Sequence, residues 1–167
     1  SSGGHKLGGV DFEDPDFRAR PYDKWVAYGQ AKTANILFSV ELTRRLAGCG
    51  ITANAVHPGA IATTDLARHL GPSDFGEMMR RTKFSDRVPF KSMEAGAATS
   101  VWAAVAPELE GCGGLYLEDC HVAEVSDDPD NGQSGCRSYA TDPLAARRLW
   151  SLSEQLAGER FAWGDDD

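Results

Sequence analysis

The sequence predicts a soluble α/β fold, on three grounds. Helical patterns cover residues 25–47, 93–105 and 143 to about 156. Short apolar runs at 51–56 and 114–117 lie between them, and each is bounded by glycine or proline, as is typical of buried strands. The net charge of −8 over 167 residues disfavours nucleic acid and anionic membrane surfaces as partners.

The first part of the chain predicts a loop followed by a long helix. Residues 5–23 are rich in Gly, Asp and Pro, which favours a loop. The helix over 25–47 carries more apolar positions than one buried face requires, and the glycines of 48–50 end it. These apolar positions are Ala31, Ala34, Ile36, Leu37, Phe38, Val40 and Leu42.

The remaining elements follow from equally local signals. Pro58-Gly59 ends the strand predicted over 51–56, and residues 60–90 predict a short helix within loops. A second helix, Met93–Val105, precedes Pro107, and a strand is expected over 114–117. Asp142 suits an N-cap, with proline at the first position of the last helix. We expect one domain over 1–157 and an acidic tail over 158–167.

Tyr28 and Lys32 are the residues that most clearly indicate chemistry. Their spacing of four residues places both side chains on one face of the first helix. A lysine ammonium next to a tyrosine stabilises the phenolate, by roughly 4 kcal/mol for charges ~4 Å apart at an effective dielectric near 20. The pair therefore predicts a tyrosine that can act as a general acid or base near neutral pH.

Three neighbouring motifs accompany this pair in a fixed order. Ser-Ser-Gly-Gly-His lies at 1–5, Ala-Asn-Ile-Leu-Phe at 34–38 and His-Pro-Gly at 57–59. With Tyr28 to Lys32, these motifs resemble the short-chain dehydrogenase/reductase family, and more closely its retinol-dehydrogenase-like branch. The resemblance runs from residue 1 to about residue 157. It implies the C-terminal part of a Rossmann-type parallel sheet with flanking helices.

The resemblance also implies catalytic roles for Ser2, Tyr28 and Lys32. Tyr28 would exchange a proton with the substrate oxygen while hydride passes to or from NAD or NADP. Lys32 would support the phenolate and bind the nicotinamide ribose. Ser2 would donate a hydrogen bond where negative charge develops, and we prefer it to Ser1 because the family's serine is the second of the pair.

The same resemblance assigns cofactor contacts beyond Tyr28 and Lys32. Pro58 and Gly59 would carry the backbone past the nicotinamide, since glycine permits close approach. The main chain of Ile61 and the hydroxyl of Thr63 would contact the carboxamide and phosphates. The segment from Leu66 to Phe90 would line or cover the substrate site, where Met and Phe side chains, including Phe84, suit a small apolar alcohol or carbonyl compound.

The sequence departs from the family at its nucleotide-binding half. It contains neither the glycine-rich turn that binds the pyrophosphate at a helix N-terminus nor the Asn-Asn-Ala-Gly motif. We therefore expect the N-terminal half to be missing and the fragment alone to be inactive. Three interpretations stay open: a dehydrogenase half competent only within a longer chain, a non-catalytic truncated product, and a scaffold or binding module. NAD and NADP are not distinguished.

Other candidate sites are weaker. The four cysteines, Cys49, Cys112, Cys120 and Cys136, match no zinc spacing and predict reduced thiols in a cytoplasmic protein, with no metal. His121 has no second ligand pair. The acidic stretch 127–132 could begin a calcium loop. Counted from Asp127, however, Pro129 stands at the third ligand position and Ser138 at the twelfth, so we predict a solvated loop. No apolar run approaches a membrane span. The broad apolar surface of the first helix predicts a homo-oligomer.

Overall fold

The described part of the chain contains four α-helices, several short 3₁₀ helices and a small sheet. The structure, a computed structural model, describes residues 1–81, 90–128 and 134–161. The helices are α1 (Lys24–Leu46), α2 (Pro72–Arg81), α3 (Met93–Val105) and α4 (Pro143–Ala157), and the strands are β1 (Ala55–His57), β2 (Tyr116–Glu118) and β3 (His121–Val122). The mixed α/β class predicted from the sequence is confirmed.

The long helix α1 lies between the sheet and α4. Ile36 is fully buried in a cluster with Ala55 and Tyr116 of the sheet. Leu37, its neighbour in sequence, is buried against Ala146 and Leu149 of α4. The excess of apolar residues on α1 therefore covers two surfaces inside the chain. The broad apolar surface was expected to pack on a neighbouring helix or on a second subunit, and α4 of the same chain packs on part of it.

The helix boundaries agree closely with prediction. The Asp23 side chain accepts hydrogen bonds from the backbone N–H groups of Trp25 and Val26 and so caps α1. Asp142 accepts from the N–H of Leu144 at the start of α4. The loop predicted over 5–23 is partly wrong, because Gly3–Leu7 forms a 3₁₀ helix with Ser2 as its N-cap.

The first strand is shorter than predicted. The prediction gave 51–56, whereas β1 covers only Ala55–His57. The reason lies at Ala53, where the Thr43 hydroxyl of α1 bonds both to the N–H, at 3.0 Å, and to the C=O, at 2.9 Å. The Thr43 hydroxyl thus takes the Ala53 N–H that would extend the strand, whereas the Ala53 carbonyl also accepts from the Gly114 N–H.

The Rossmann-type parallel sheet that the resemblance implied holds for β1 and β2 but not for β3. β1 pairs with β2 in parallel, as expected, but β2 and β3 are antiparallel, with Glu118 opposite His121. Asp119 and Cys120 form the two-residue connection with φ angles of 47° and 58°. Such a tight connection permits only antiparallel pairing. Neither residue is glycine, so the usual sequence signal for this hairpin is absent.

Several predictions fall on residues outside the described ranges. Phe84 and the central part of the proposed acidic loop, including Pro129 and Asp130, are among them, as is most of the acidic tail. The division into 1–157 and 158–167 stays a prediction. Among the described helices, none combines the length and the apolar character that crossing a membrane requires.

Candidate active site

Ser2 and Tyr28 are brought together although 26 residues separate them. The Tyr28 hydroxyl donates to Ser2 Oγ at 3.1 Å. Ser2 Oγ also accepts from the backbone N–H of Gly4 at 3.1 Å. With two donors directed at its oxygen, the Ser2 hydroxyl keeps its own proton for a further acceptor. This leaves a donor suited to a substrate carbonyl oxygen.

Close packing of the 3₁₀ helix against α1 places these two hydroxyls side by side. The Gly4 backbone lies under the Tyr28 ring, and an added Cβ at Gly4 would lie only 2.2 Å from Tyr28 Cε1. One turn further along α1, the buried Thr33 hydroxyl donates to the carbonyls of His5 and Gly8. The contact between the 3₁₀ helix and α1 therefore depends on the missing side chain of Gly4 and on the buried hydroxyl of Thr33.

Lys32 lies on the same face of α1 as Tyr28. Its Nζ is 5.4 Å from the centroid of the Tyr28 ring. The Lys32 carbonyl accepts a hydrogen bond from Ser1 Oγ at 2.8 Å. The two serines thus have different partners, since Ser1 bonds to the helix backbone and Ser2 to the tyrosine hydroxyl.

His5 supports the Ser2 turn, by which we mean Ser2 and the 3₁₀ helix Gly3–Leu7 that it caps. The sequence argument gave His5 no role. Its ring is fully buried, with Nδ1 2.9 Å from the Ser2 carbonyl and Nε2 accepting from the Arg137 N–H at 3.2 Å. These bonds suit a neutral ring protonated at Nδ1. Burial lowers the pKa of His5 from 6.5 to about 4, opposed by the bond to Ser2. The sequence signal that could have indicated a role for His5 was its position at the end of the Ser-Ser-x-x-His motif.

The Pro58-Gly59 turn follows β1 directly. Gly59 has φ +86°, a conformation that glycine adopts without strain. Ile61 is half-buried, and its Cδ1 lies where a side chain at Gly96 of α3 would stand. Thr63 is exposed, and no hydrogen bond of its hydroxyl is seen in the described part of the chain. Their assigned cofactor contacts stay predictions.

Tyr116 is a further buried group at this site that sequence reasoning missed. It is 2% exposed, and its ring centroid lies 4.8 Å from that of His5 and 6.3 Å from that of His57. Its hydroxyl has no hydrogen-bond partner among the described residues. Burial raises the pKa of Tyr116, and the neighbouring Glu118 adds to the shift. Tyr116 therefore remains a neutral phenol at physiological pH.

The residues present fit one end of a nicotinamide cofactor. Tyr28, Lys32 and Ser2 offer hydroxyl and ammonium groups, and the Gly59 turn follows them with the Lys91 stem lying over the glycine. No glycine turn joins a strand to a helix within 1–81, 90–128 and 134–161, so these ranges supply no such pyrophosphate site. The described residues also contain no group of three or more His, Cys, Asp or Glu side chains arranged to hold a metal ion.

Comparison with known proteins gives the same family as the motifs. The chain is 46% identical over 153 residues to a protein named "Probable oxidoreductase" from Streptomyces lividans, covering 90% of this chain and 51% of that protein. It is 40% identical over 166 residues to mouse retinol dehydrogenase 13, covering 98% and 46% respectively. A Penicillium roqueforti short-chain dehydrogenase/reductase, prx1, is 37% identical over 156 residues, covering 93% and 45%.

A solved structure supports the fold. The crystal structure of an uncharacterized protein from Mycobacterium paratuberculosis matches with a TM-score of 0.53 and 30% identity, over 97% of this chain and 50% of that one. No protein-family model matches. Fold and relatives together define a mixed α/β chain that is homologous to proteins named as oxidoreductases. The chain belongs to the short-chain dehydrogenase/reductase family, and it spans about half the length of the curated relatives it matches.

Proposed function

We propose that this chain contributes the catalytic residues of an NAD(P)-dependent oxidoreductase that interconverts an alcohol and a carbonyl compound. One observation carries the proposal: the Tyr28 hydroxyl donates to Ser2 Oγ, with the Lys32 ammonium beside the tyrosine ring. The homology to retinol dehydrogenases and other oxidoreductases supports the same class of reaction.

The residues divide the chemistry between them. The bound nicotinamide would supply or accept the hydride. Ser2 would orient the substrate oxygen with the proton that its hydroxyl retains, and Tyr28 would hold the proton that this oxygen gains on reduction. Lys32 would favour the phenolate that Tyr28 becomes after giving up that proton. Ser2 and Tyr28 would thus act at the substrate oxygen, and Lys32 would act through Tyr28.

Cofactor binding would need more than these residues. In the resembling family a glycine-rich turn at a helix N-terminus holds the pyrophosphate, and the described residues supply none. We propose that activity requires a longer chain or a partner that provides this turn. An apolar substrate, a homo-oligomeric state and a cytoplasmic location belong to the same proposal and rest on the sequence argument.

The test is carbonyl reduction by the native protein, with NADH and NADPH and a series of apolar aldehydes and ketones. Tyr28→Phe keeps the ring and removes the transferable proton, so turnover should fall below a few per cent of wild type with little change in cofactor affinity. Tyr22→Phe is the matched control, because Tyr22 is 70% exposed and contacts Phe17 instead of Ser2. Substantial turnover by Tyr28→Phe would disprove the assignment.

A further inference from the structure

His57 precedes the Pro58-Gly59 turn and holds it from within. The Gly59 N–H donates to His57 Nδ1 at 3.3 Å. A ring nitrogen accepts a hydrogen bond only when it carries no proton. The imidazole stacks on Tyr116 with an interplanar angle of 22°. The side chain is therefore oriented by an aromatic neighbour while it binds the backbone two residues further on.

Lys91 closes the other side of the same turn. An added Cβ at Gly59 would lie 2.7 Å from both Cδ and Cε of Lys91, so the lysine stem covers the glycine. The Lys91 N–H donates to the Ala60 carbonyl at 2.8 Å, and its ammonium pairs with Asp119 in the β2–β3 connection. The turn is thus enclosed between an imidazole and an anchored lysine stem.

We propose that His57 is a positioning residue, whose neutral imidazole fixes the Gly59 N–H and releases it on protonation. The contact of this turn with the nicotinamide rests on the proposed function, whereas the hold on Gly59 does not. The residue would act through the backbone and would not touch the reacting atoms.

The charges around His57 favour the neutral ring at physiological pH. Burial is the largest effect, and His5, Lys91 and the amino group of Ser1 disfavour a second positive charge, while Asp119 favours it. Together they lower the pKa of His57 to about 4. The Gly59 N–H is then held throughout the neutral range and released only in acid.

Amide hydrogen exchange of the 167-residue chain at neutral pH tests directly whether the His57 ring fixes the Gly59 N–H. His57→Phe keeps a ring that can stack on Tyr116 but has no acceptor, so the Gly59 amide should exchange about tenfold faster, which corresponds to about 1.4 kcal/mol. His57→Asn keeps an acceptor that can reach the N–H two residues on, and it should restore the protection. The Gly114 amide, which donates to the Ala53 carbonyl at 2.7 Å, is the control for general loosening.

Equal exchange at Gly59 in wild type and His57→Phe would overturn the proposal, as would faster exchange in His57→Asn equal to that in His57→Phe. A pH titration of the wild-type Gly59 amide signal needs no variant. It should show a step below pH 5 that is absent at Gly114. A signal that does not change through this range would also overturn the proposal.

Cofactor kinetics of the native protein separate this inference from the proposed function. If both hold, His57→Phe raises the KM for the cofactor severalfold with less change in kcat, and His57→Asn restores it. If Gly59 exchange responds to His57 but the protein reduces no carbonyl compound with either cofactor, the hold stands and the proposed function fails.

Discussion

Gly4→Ala should move the Tyr28 hydroxyl away from Ser2 although neither of these two side chains is replaced. The added Cβ would lie 2.2 Å from Tyr28 Cε1 and 2.7 Å from Cδ1. Non-bonded carbon atoms prefer a separation of about 3.5–4.0 Å. The ring must therefore move by more than about 1 Å, and the bond of 3.1 Å from Tyr28 to Ser2 would stretch past the limit of a hydrogen bond.

The change in the free energy of unfolding combines two destabilising contributions and one stabilising contribution. Overpacking of this kind costs about 1–3 kcal/mol, and losing the Tyr28–Ser2 bond adds about 1 kcal/mol. Replacing glycine by alanine stabilises by about 0.4–1 kcal/mol through the unfolded chain. The free energy of unfolding should thus fall by about 1–3 kcal/mol.

Urea unfolding measures this change, and Gly8→Ala is the matched control. An added Cβ at Gly8 meets nothing within 4 Å, so that variant should be neutral or slightly more stable. With an m value of about 2 kcal/mol per molar urea, the midpoint for Gly4→Ala should drop by roughly 1 M. The reasoning would be refuted if Gly4→Ala proved as stable as Gly8→Ala, because the close approach of Gly4 and Tyr28 would then be wrong.

Three further predictions concern pH, the lysine and the cofactor. Because the pKa of His5 is lowered from 6.5 to about 4, the unfolded chain binds more protons between these values. Stability should be complete above pH 6.5 and fall by up to about 3 kcal/mol towards pH 4, and His5→Gln should remove that part of the slope in unfolding curves. Lys32→Ala should reduce turnover of the native protein, because it removes the ammonium group that lies beside the Tyr28 ring; unchanged turnover would contradict the role given to Lys32. Calorimetry of the 167-residue chain should show no saturable binding of NAD(H) or NADP(H) below about millimolar, and a micromolar dissociation constant would show that these residues supply more affinity than we infer.

The sequence predicted the helices better than the strands, for a physical reason. Helices α1, α3 and α4 carry local signals: the glycines after α1, Pro107 after α3, the N-cap Asp142 of α4, and long apolar patterns. Strands of two or three residues carry too few positions for a pattern. Their ends depend on distant partners, as when the Thr43 hydroxyl accepts the hydrogen bond of the Ala53 N–H.

In the candidate site, too, some residues could be predicted from local sequence and others could not. The spacing of Tyr28 and Lys32 on one helix follows from helical geometry alone, and the resemblance selected Ser2. The roles of His5, Tyr116 and Lys91 come from contacts across the fold, which no single stretch of sequence records. The β2–β3 hairpin shows the limit most clearly, because Asp119 and Cys120 adopt positive φ without a glycine.

The arrangement of buried polar groups suggests how the site keeps its geometry. His5 and Thr33 are polar residues, and both are fully buried beneath Ser2. A buried polar group that is charged or lacks a hydrogen-bond partner costs several kcal/mol of stability. The Thr33 hydroxyl bonds to backbone carbonyls of the 3₁₀ helix and its C-cap, and the His5 ring bonds to the Ser2 carbonyl and the Arg137 N–H. The Tyr139 hydroxyl also donates to the His5 carbonyl at 2.7 Å. Because these bonds tie the Ser2 turn to α1 and to the segment before α4, the turn shifts only if several bonds break together. The Ser2–Tyr28 distance is therefore set by this buried network, and removing one of its members should affect stability and turnover together.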